Sequence, residues 1–474
     1  MGNLMPCCIA ECVPGDKWNI SGDTYLRFAP ITAPIMHSID VAIHYFFVPN
    51  RILWSNWEKF IVNEPTGGIP TFSWDANIPA TAKKLGDYLS VPPPPTGATQ
   101  VQINALPFAA YQAIYNEYYR DENLVTAVNY NLADGNQGIG TFGTLRKRAY
   151  EHDYFTACLP FAQKGAAVDL PLGDVTLKAN WNPSAIPKFV NAAGTSINNL
   201  DDVQGGTPNR IRTSGGQSPI AYNPNGSLEV GSTTINDLRR AMRLQEFLEK
   251  NARGGTRYIE NIKMHFGVQS SDSRLQRPEY ITGTKAPVVV QEITSTVKGI
   301  EEPQGNPTGK ATSLQSGHYG NYSVEEHGYI IGIMSIMPKP AYQQGIPKSY
   351  LKTDVLDFYW PSFANIGEQE VLQEEIYGYT PTPNAVFGYI PRYAEYKYLQ
   401  NRVCGLFRTT LDFWHLGRIF ANIPTLSQSF IEVSPANQTR IFANQEDYDD
   451  NIYIHVLNKM TARRPMPVFG TPML

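Results

Sequence analysis

Apolar and polar residues alternate in short runs that lie far apart along the chain, and this pattern constrains the fold more than any other feature of the sequence. The alternation is regular at 39–43 and at 452–456, as in strands with one buried face. Further strands are predicted at 259–264, 288–297, 329–337, 403–411 and 430–433. Because far more residues separate these runs than a hairpin turn needs, the sequence predicts a mainly β fold, a β-sandwich with large insertions.

Helices are predicted at fewer places. The clearest covers 235–252, where Thr234 and Asp237 form a capping-box pattern and Gly254 follows the last turn. Two aromatic-rich segments, 52–62 and 108–119, are also predicted to be helical, and their large side chains need a surface to cover.

Residues 166–232 are rich in Gly, Pro, Asn, Thr and Ser without sustained periodicity. This composition indicates a long surface insertion rather than a core element. Shorter Pro- or Gly-rich stretches at 91–97 and 301–320 are predicted to be loops.

Charged residues make up 17% of the chain and aromatic residues 12%, whereas charged residues usually make up about a quarter of a globular protein. Such a composition favours a surface that partner subunits cover. The formal net charge of −4 argues against a protein that binds nucleic acid over its whole surface, but it allows a local basic patch.

The five cysteines form no CxxC pair and no zinc-ligand spacing, so we expect reduced thiols. No apolar run approaches the roughly 18 residues that span a bilayer. No export signal is visible either, and we expect a soluble protein without membrane insertion.

No short motif identifies an active site. The GxGxxG match at 138–143 does not follow a strand, as a dinucleotide site requires, and GNPTGKA at 305–311 is one residue short of a P-loop. The histidines never adopt HxxxH or HExxH spacing. The acidic run at 446–450 lacks the spacing of an EF-hand, which favours a solvated loop over a calcium site. We therefore predict no catalytic residue, no cofactor and no metal site.

Three basic clusters are candidates for contact with nucleic acid or with a partner subunit. They are Arg146, Lys147 and Arg148; Arg239, Arg240 and Arg243; and Arg463 and Arg464. Such clusters are more often solvated faces or sources of interface ion pairs. The first and the last are retained as candidate DNA-facing or interface residues.

Longer strings of sequence indicate a family. The string HYFFVPNRILWSNWEKFI at 44–61 resembles a signature of the microvirus major capsid proteins, specifically of the gokushovirus branch. Other strings that resemble this family follow in the expected order. They are LPFAAYQAIYNEYYRDENL at 106–124, LRKRAYEHDYFTACLPFAQKG at 145–165, TINDLRRAMRLQEFLEKNARGGTRYIENIKMHFGV at 234–268, RLQRPEY at 274–280, FGYIPRYAEYKY at 387–398, GLFRTTLDFWHL at 405–416 and RPMPVFGTPM at 464–473.

The resemblance covers nearly the whole chain. It implies a single capsid domain over 1–474, an eight-stranded antiparallel jelly roll with large loop and helical insertions. It also implies that about sixty copies form a T=1 icosahedral shell around the circular single-stranded DNA of a small bacteriophage. The insertion at 166–232 lies where gokushovirus-like proteins carry the variable insertion that builds three-fold protrusions, and we expect it to contact the host receptor.

The family implies further partners, namely a small basic DNA-binding protein, an internal scaffolding protein during assembly and a DNA pilot protein. The chain is expected in the virion after assembly in the cytoplasm of a bacterial host, with no catalytic activity. Family members usually carry a further segment before the MGxLxP…VPGD motif, which begins here at Met1. Either an N-terminal arm precedes Met1 or this member is short.

Two other functions remain as alternatives. A lectin or carbohydrate-active enzyme on a jelly roll would use Trp and Tyr as sugar platforms, but no pair of acids stands out as catalytic. A nucleic-acid-binding module predicts a basic pI, whereas the pI of this sequence is about 6.1.

Overall fold

The computed structural model describes residues 1–169, 234–296, 304–382, 384–433, 436–443 and 451–466, together with six three-residue strands between 175 and 230. The chain divides into two compact units. The first consists of Met1–Ala162 with Asn251–Leu474, and the second of Gln163–Lys250.

Twenty strands are found in the described part of the chain. They are β1 (Met5–Cys12), β2 (Lys17–Phe28), β3 (Ile39–Pro49), β4 (Thr71–Trp74), β5 (Val101–Asn104), β6 (Asn136–Gln137), β7 (Val175–Leu177), β8 (Lys188–Val190), β9 (Leu200–Asp202), β10 (Ile211–Thr213), β11 (Ala221–Asn223), β12 (Leu228–Val230), β13 (Glu279–Pro287), β14 (Val289–Thr294), β15 (Pro307–Gln315), β16 (Gly320–Ser323), β17 (Gly328–Pro338), β18 (Glu368–Leu372), β19 (Val386–Pro391) and β20 (Ile452–Arg463).

The helices of the same residues are mostly short. The α-helices are α1 (Asn50–Leu53), α2 (Trp57–Ile61), α3 (Ala80–Tyr88), α4 (Leu106–Ile114), α5 (Ile235–Arg253), α6 (Tyr258–Phe266), α7 (Lys348–Leu351), α8 (Gln373–Ile376), α9 (Gln428–Ile431) and α10 (Ala436–Thr439). A π-helical turn covers Tyr115–Tyr119, and single 3-10 turns cover Gly140–Gly143, Val355–Asp357, Pro361–Phe363, Ala394–Tyr396, Gly405–Arg408 and Asp412–Trp414.

Two antiparallel sheets of the first unit face each other as a β-sandwich. One sheet has the order β1-β17-β3-β13. In the other, β14 pairs with β15, while β15 and β16 pair with different halves of β2 and β20 pairs with the full length of β2. Side chains of both sheets, among them Ile20 and Ile330, share one hydrophobic core. The mainly β sandwich predicted from the alternating runs is therefore present.

The central strands β3 and β17 are buried on both faces, which explains why their sequences are almost continuously apolar. From β3, Ile43 and Tyr45 point into the sandwich core, whereas Phe46 and Val48 point into a second core on the outer face of the sheet. α4 belongs to this second core, and every one of its residues except Pro107 is buried. The second core thus provides the surface that the aromatic-rich helical segments need.

The edge strand β20 shows the opposite pattern. Its residues alternate between half-buried and exposed along most of its length, as in a strand that covers a core with one face only. Within the described residues β20 pairs with β2 alone.

The second unit contains three nested antiparallel strand pairs. β7 pairs with β12, β8 with β11 and β9 with β10. Near the two ends of this unit, the Lys164 N–H donates to the Leu248 carbonyl at 3.3 Å. The pairing shows that this part of the chain runs out and returns along itself. Apart from 166–169 and these strands, the predicted insertion at 166–232 lies outside the described residues.

Several sequence predictions are confirmed. β3, β17 and β20 occupy predicted runs, β14 falls within 288–297, and the predicted helix at 108–119 is α4 with its π-helical turn. α5 begins after Thr234, whose Oγ1 accepts a 3.2 Å hydrogen bond from the Asp237 N–H as a capping box requires.

Other predictions are wrong. The predicted strand at 259–264 is α6, which ends at Gly267 with a φ of 69°. The predicted strand at 403–411 contains a 3-10 turn, because Gly405 adopts a φ of 67° that extended backbone cannot accommodate. The predicted strand at 430–433 overlaps α9 instead.

Two further elements also differ from prediction. The predicted helix at 52–62 is broken into α1 and α2 at the turn around Trp54. The predicted loop at 301–320 contains β15, whose inward positions Gly309, Ala311 and Ser313 are small. A Cβ on Gly309 would meet the side chain of Ile31, so the close packing of the sheet selects small residues there rather than large apolar ones.

All five cysteines are free thiols. Across the residues with a described structure, no helix is both long enough and apolar enough to cross a membrane.

Candidate functional site

The basic residues Arg146, Lys147 and Arg148 lie in an extended segment that pairs with the first residues of the chain. The Leu4 N–H donates to the Arg146 carbonyl at 2.9 Å, and the Arg148 N–H donates to the Gly2 carbonyl at 2.7 Å. The three side chains are partly buried. This segment therefore belongs to the folded body of the first unit rather than to a loose loop.

The three basic side chains have different surroundings. Arg146 donates from Nε to Gln112 at 2.7 Å and lies 5.3 Å from the ring centre of Tyr115, and burial lowers the pKa of this guanidinium. Arg148 donates from Nη1 to the Ser335 hydroxyl at 2.8 Å. In the described ranges, neither Lys147 nor Arg148 has a carboxylate partner. Their charges are thus available to an anion, while Arg146 is held in place by its neighbours.

The other basic pair lies at the end of β20. Arg464 forms an ion pair with Asp16 at 3.1 Å and places its guanidinium 5.2 Å from the ring centre of Trp18. Arg463 is exposed and is paired in the sheet with Lys17. Arg464 is therefore a structural residue, and Arg463 contributes to a small exposed basic surface.

The structure does not bring these two basic clusters together. The segment with Arg148 pairs with residues before β1, whereas Arg464 contacts Glu11 near the end of β1 and Asp16 after it. Eight residues of strand span roughly 26 Å at about 3.3 Å per residue. A partner that contacted both clusters would have to be an extended molecule.

A concavity of about 480 Å³ lies beside Arg148, on the outer face of the β1-β17-β3-β13 sheet. Its lining includes His44 and Phe46 of β3, Tyr280 of β13, Tyr118 and Tyr119 of the π-helical turn, and Arg148 itself. Tyr280 is directly opposite Phe46 in the sheet, and the two rings are 5.6 Å apart in an edge-to-face arrangement. The concavity is thus an aromatic pocket with one guanidinium at its wall.

One of the two histidines that line this pocket, His44, is uncharged at neutral pH. Burial, with a smaller contribution from Arg148, lowers the pKa of His44 to about 4. Its Nδ1 is 2.7 Å from the Tyr119 hydroxyl. Since no other hydrogen bond of the ring is found in the described part of the chain, its second ring nitrogen remains available for a hydrogen bond to a ligand.

Four charges balance one another at the rim of the pocket. Asp40 lies 3.0 Å from Lys285 and 3.2 Å from Lys339, and Glu151 contacts both lysines. Two carboxylates and two ammonium groups leave no net charge, so the acidic groups at the rim do not offset the guanidinium of Arg148.

Sequence reasoning placed Arg148 among the candidate residues but missed the rest of this pocket. His44, Phe46 and Tyr118 lie within strings that were used only for the family resemblance. The alternation of His44 and Phe46 on β3 signals an outward-facing aromatic pair. Only the pairing of β13 with β3 brings Tyr280 beside this pair.

Two regions stand out among those with exposed large apolar side chains. One is the segment 355–360, where Val355, Leu356, Phe358, Tyr359 and Trp360 are each 46–65% exposed. The other is α5, where Ile235, Leu238, Met242 and Phe247 are 40–70% exposed. These apolar side chains of α5 are therefore largely uncovered. Contiguous apolar surface of this kind indicates contact with other molecules.

Within the ranges that the structure describes, no group of three His, Cys, Asp or Glu side chains is placed to hold a metal ion. The acidic run at 446–450 lies outside those ranges. The Gly140–Gly143 turn of the GxGxxG match follows the two-residue strand β6 and opens no helix, so the context of a dinucleotide site is missing there.

A large β-sandwich with uncovered apolar segments and few charges is typical of a subunit of a protein assembly. Comparisons with known proteins identify the family. The family model described as capsid protein (F protein) of phages matches residues 1–474. The chain therefore belongs to the phage capsid protein (F protein) family.

The relatives found are all named capsid protein VP1. The chain is 36% identical to that of Bdellovibrio phage phiMH2K, over 99% of this chain and 92% of the relative. It is 33% identical to that of Chlamydia phage 1, over 100% and 93%, and 31% identical to that of Spiroplasma virus 4, over 100% and 92%. These viruses are gokushoviruses of the Microviridae, which confirms the resemblance inferred from the sequence.

Proposed function

We propose that this chain is the subunit of a closed T=1 icosahedral shell of about sixty copies that encloses circular single-stranded DNA. Membership of the capsid family supports a structural role in the virion. The observation that carries the proposal is the exposed apolar segment 355–360, because a subunit that remained alone would leave this surface in water.

The proposal includes an eight-stranded jelly roll as the shell-forming core. β15 and β16 pair with different halves of β2 and so share one position in their sheet. Counted this way, each sheet has four strand positions, and the chain passes from one sheet to the other between β13 and β14. The presence of four strand positions in each sheet, together with antiparallel pairing in both sheets, supports assignment of the sandwich as a jelly roll.

The proposal also includes the partners that the family resemblance implies. They are a small basic DNA-binding protein, an internal scaffolding protein, a DNA pilot protein and a host surface receptor, with assembly in the host cytoplasm. The receptor contact is assigned to 166–232, and the nested pairs of β7 to β12 support an excursion of the chain. Deletion of 205–226 tests this point, since unchanged adsorption of particles to host cells would remove the assignment.

Assembly is tested with the full chain, produced with and without its scaffolding protein. Electron microscopy and light scattering of the same sample should show uniform closed particles of about sixty subunits, and nuclease treatment should leave protected single-stranded DNA inside them. A monodisperse monomer under both conditions would overturn the proposal and favour a sugar-binding function.

A matched pair of variants tests the surface that carries the proposal. Leu356→Glu places a charge in the exposed apolar segment, where Leu356 is 54% exposed. Thr96→Glu places the same charge on an exposed loop between α3 and β5. Both variants should fold, and Leu356→Glu alone should abolish particles. Normal particles from Leu356→Glu would show that the segment lies outside every subunit contact.

A further inference from the structure

The aromatic pocket beside Arg148 has walls suited to a planar ring. Phe46 lies 4.7 Å from Tyr118 and 5.6 Å from Tyr280, measured between ring centres. Tyr280 remains 47% exposed, whereas Phe46 is buried beneath it. The pocket therefore offers one accessible tyrosine ring above a floor that is already packed, as a stacking platform requires.

The polar groups of the pocket select the charge of its ligand. Arg148 brings a guanidinium that lies 5.9 Å from the ring centre of Tyr119 and has no carboxylate partner in the described residues. Glu151 also lines the pocket, but its charge is matched by Lys285 and Lys339. A ligand with an anionic group beside an aromatic ring satisfies both the cation and the platform.

We propose that this pocket holds one nucleotide of single-stranded DNA, with the base on Tyr280 and the phosphate at Arg148. The inference rests on the proposed function, because the shell would supply the DNA. A sugar without charge would leave the charge of Arg148 without an ionic partner, and a plain apolar side chain would in addition leave the second ring nitrogen of His44 without a hydrogen bond. A nucleotide provides an aromatic face, hydrogen-bonding edges and a phosphate together.

The two contacts predict two different signatures in a binding experiment. The probe is a fluorescein-labelled oligothymidylate of roughly ten nucleotides, titrated with the full unassembled chain at several salt concentrations. Tyr280→Leu should weaken binding about 5- to 100-fold without changing the salt dependence, since stacking involves no counterion release. Arg148→Gln should reduce the slope of log affinity against log salt by about 0.7, the value for one phosphate contact on a single strand.

Control variants are available on β2. Tyr25 is also 47% exposed on a strand, and Arg27 is exposed two residues later. Tyr25→Leu and Arg27→Gln should leave affinity and salt slope unchanged. Arg148→Lys should restore the slope, which separates a lost phosphate contact from a loss of folding.

Photo-crosslinking locates the contact independently. An oligonucleotide that carries 5-iodouracil should crosslink to the peptide with Tyr280 in the wild-type protein. Equal affinities for Tyr280→Leu and Tyr25→Leu, or crosslinks confined to other peptides, would overturn the inference. Particles that still form and protect DNA in that case would leave the proposed function intact, whereas a wild-type chain that forms no particles would refute the proposed function instead.

Discussion

Removal of one hydroxyl group, in the variant Tyr111→Phe, should destabilise the first unit by about 2 to 6 kcal/mol. Tyr111 is fully buried in α4, where its hydroxyl donates to the Leu4 carbonyl at 2.8 Å and accepts from the Arg146 N–H at 2.9 Å. Phenylalanine keeps the ring and its packing but leaves two backbone groups without this partner. Each buried polar group that loses its partner costs about 1–3 kcal/mol, which gives the expected range.

Urea unfolding of the unassembled chain measures this effect. Tryptophan fluorescence is a suitable probe, because Trp54 and Trp74 lie in the same hydrophobic core as Tyr111. The control is Tyr350→Phe, since Tyr350 is 77% exposed and its substitution should change stability by less than about 0.5 kcal/mol.

The reasoning predicts a second, more local result. Because the Tyr111 hydroxyl joins the first residues of the chain to the segment with Arg146, Tyr111→Phe should also increase hydrogen exchange at the Arg146 amide. If Tyr111→Phe and Tyr350→Phe unfold at the same urea concentration, the hydroxyl does not contribute to stability, and the assignment of this bridge is wrong.

Two further predictions concern pH and packing. Burial lowers the pKa of His37 and of His44 to about 4 from an ordinary 6.5. The unfolded chain therefore binds more protons than the folded chain between these two pH values. As the pH drops from 6.5 towards 4, the free energy of unfolding should fall by up to about 1.4 kcal/mol per pH unit for each histidine. Urea unfolding at several pH values checks this, and a His44→Gln variant should show a shallower dependence. Gly86→Ala should destabilise by about 1–3 kcal/mol, because the new methyl group would meet the indole of Trp74. Gly138→Ala, with open space around the added Cβ, should leave the thermal midpoint unchanged, and equal midpoints for the two variants would contradict the packing argument.

The sequence predicts the strands whose side chains alternate or are continuously apolar. Burial of one face gives an alternating pattern, and burial of both faces gives a continuous apolar run. β20 and β17 are the clearest cases. The prediction from sequence fails where buried positions of a strand are occupied by small residues instead of large apolar ones. The inward positions of β15 are filled by small residues such as Ala311, so a Gly- and Ser-rich segment that looks like a loop is a strand inside the sandwich.

The helix at α6 illustrates a different error. Ile259 and Ile262 are three residues apart, a spacing that fits one face of a helix better than a strand. The approximate alternation of Ile259, Ile262 and Met264, which predicts a strand, does not distinguish this segment from a helix. The structure shows that α6 lies directly after α5 and ends at a left-handed glycine, so local helix signals decide the conformation there.

The candidate site could be predicted only in part. Clustered charges are visible in the sequence, and Arg148 was found in this way. The distinction between Arg146, which is held by Gln112 and Tyr115, and Arg148, which faces the pocket, depends on contacts between distant segments. No local pattern encodes such contacts.

The hydrogen bond between Lys164 and Leu248 fixes the separation of two chain positions that lie far apart in sequence. When the ends of an excursion are already held together, the entropy of closing it depends only weakly on its length, and each doubling costs about 0.6 kcal/mol. Foreign peptides inserted between β9 and β10 should therefore be tolerated with little loss of folding stability.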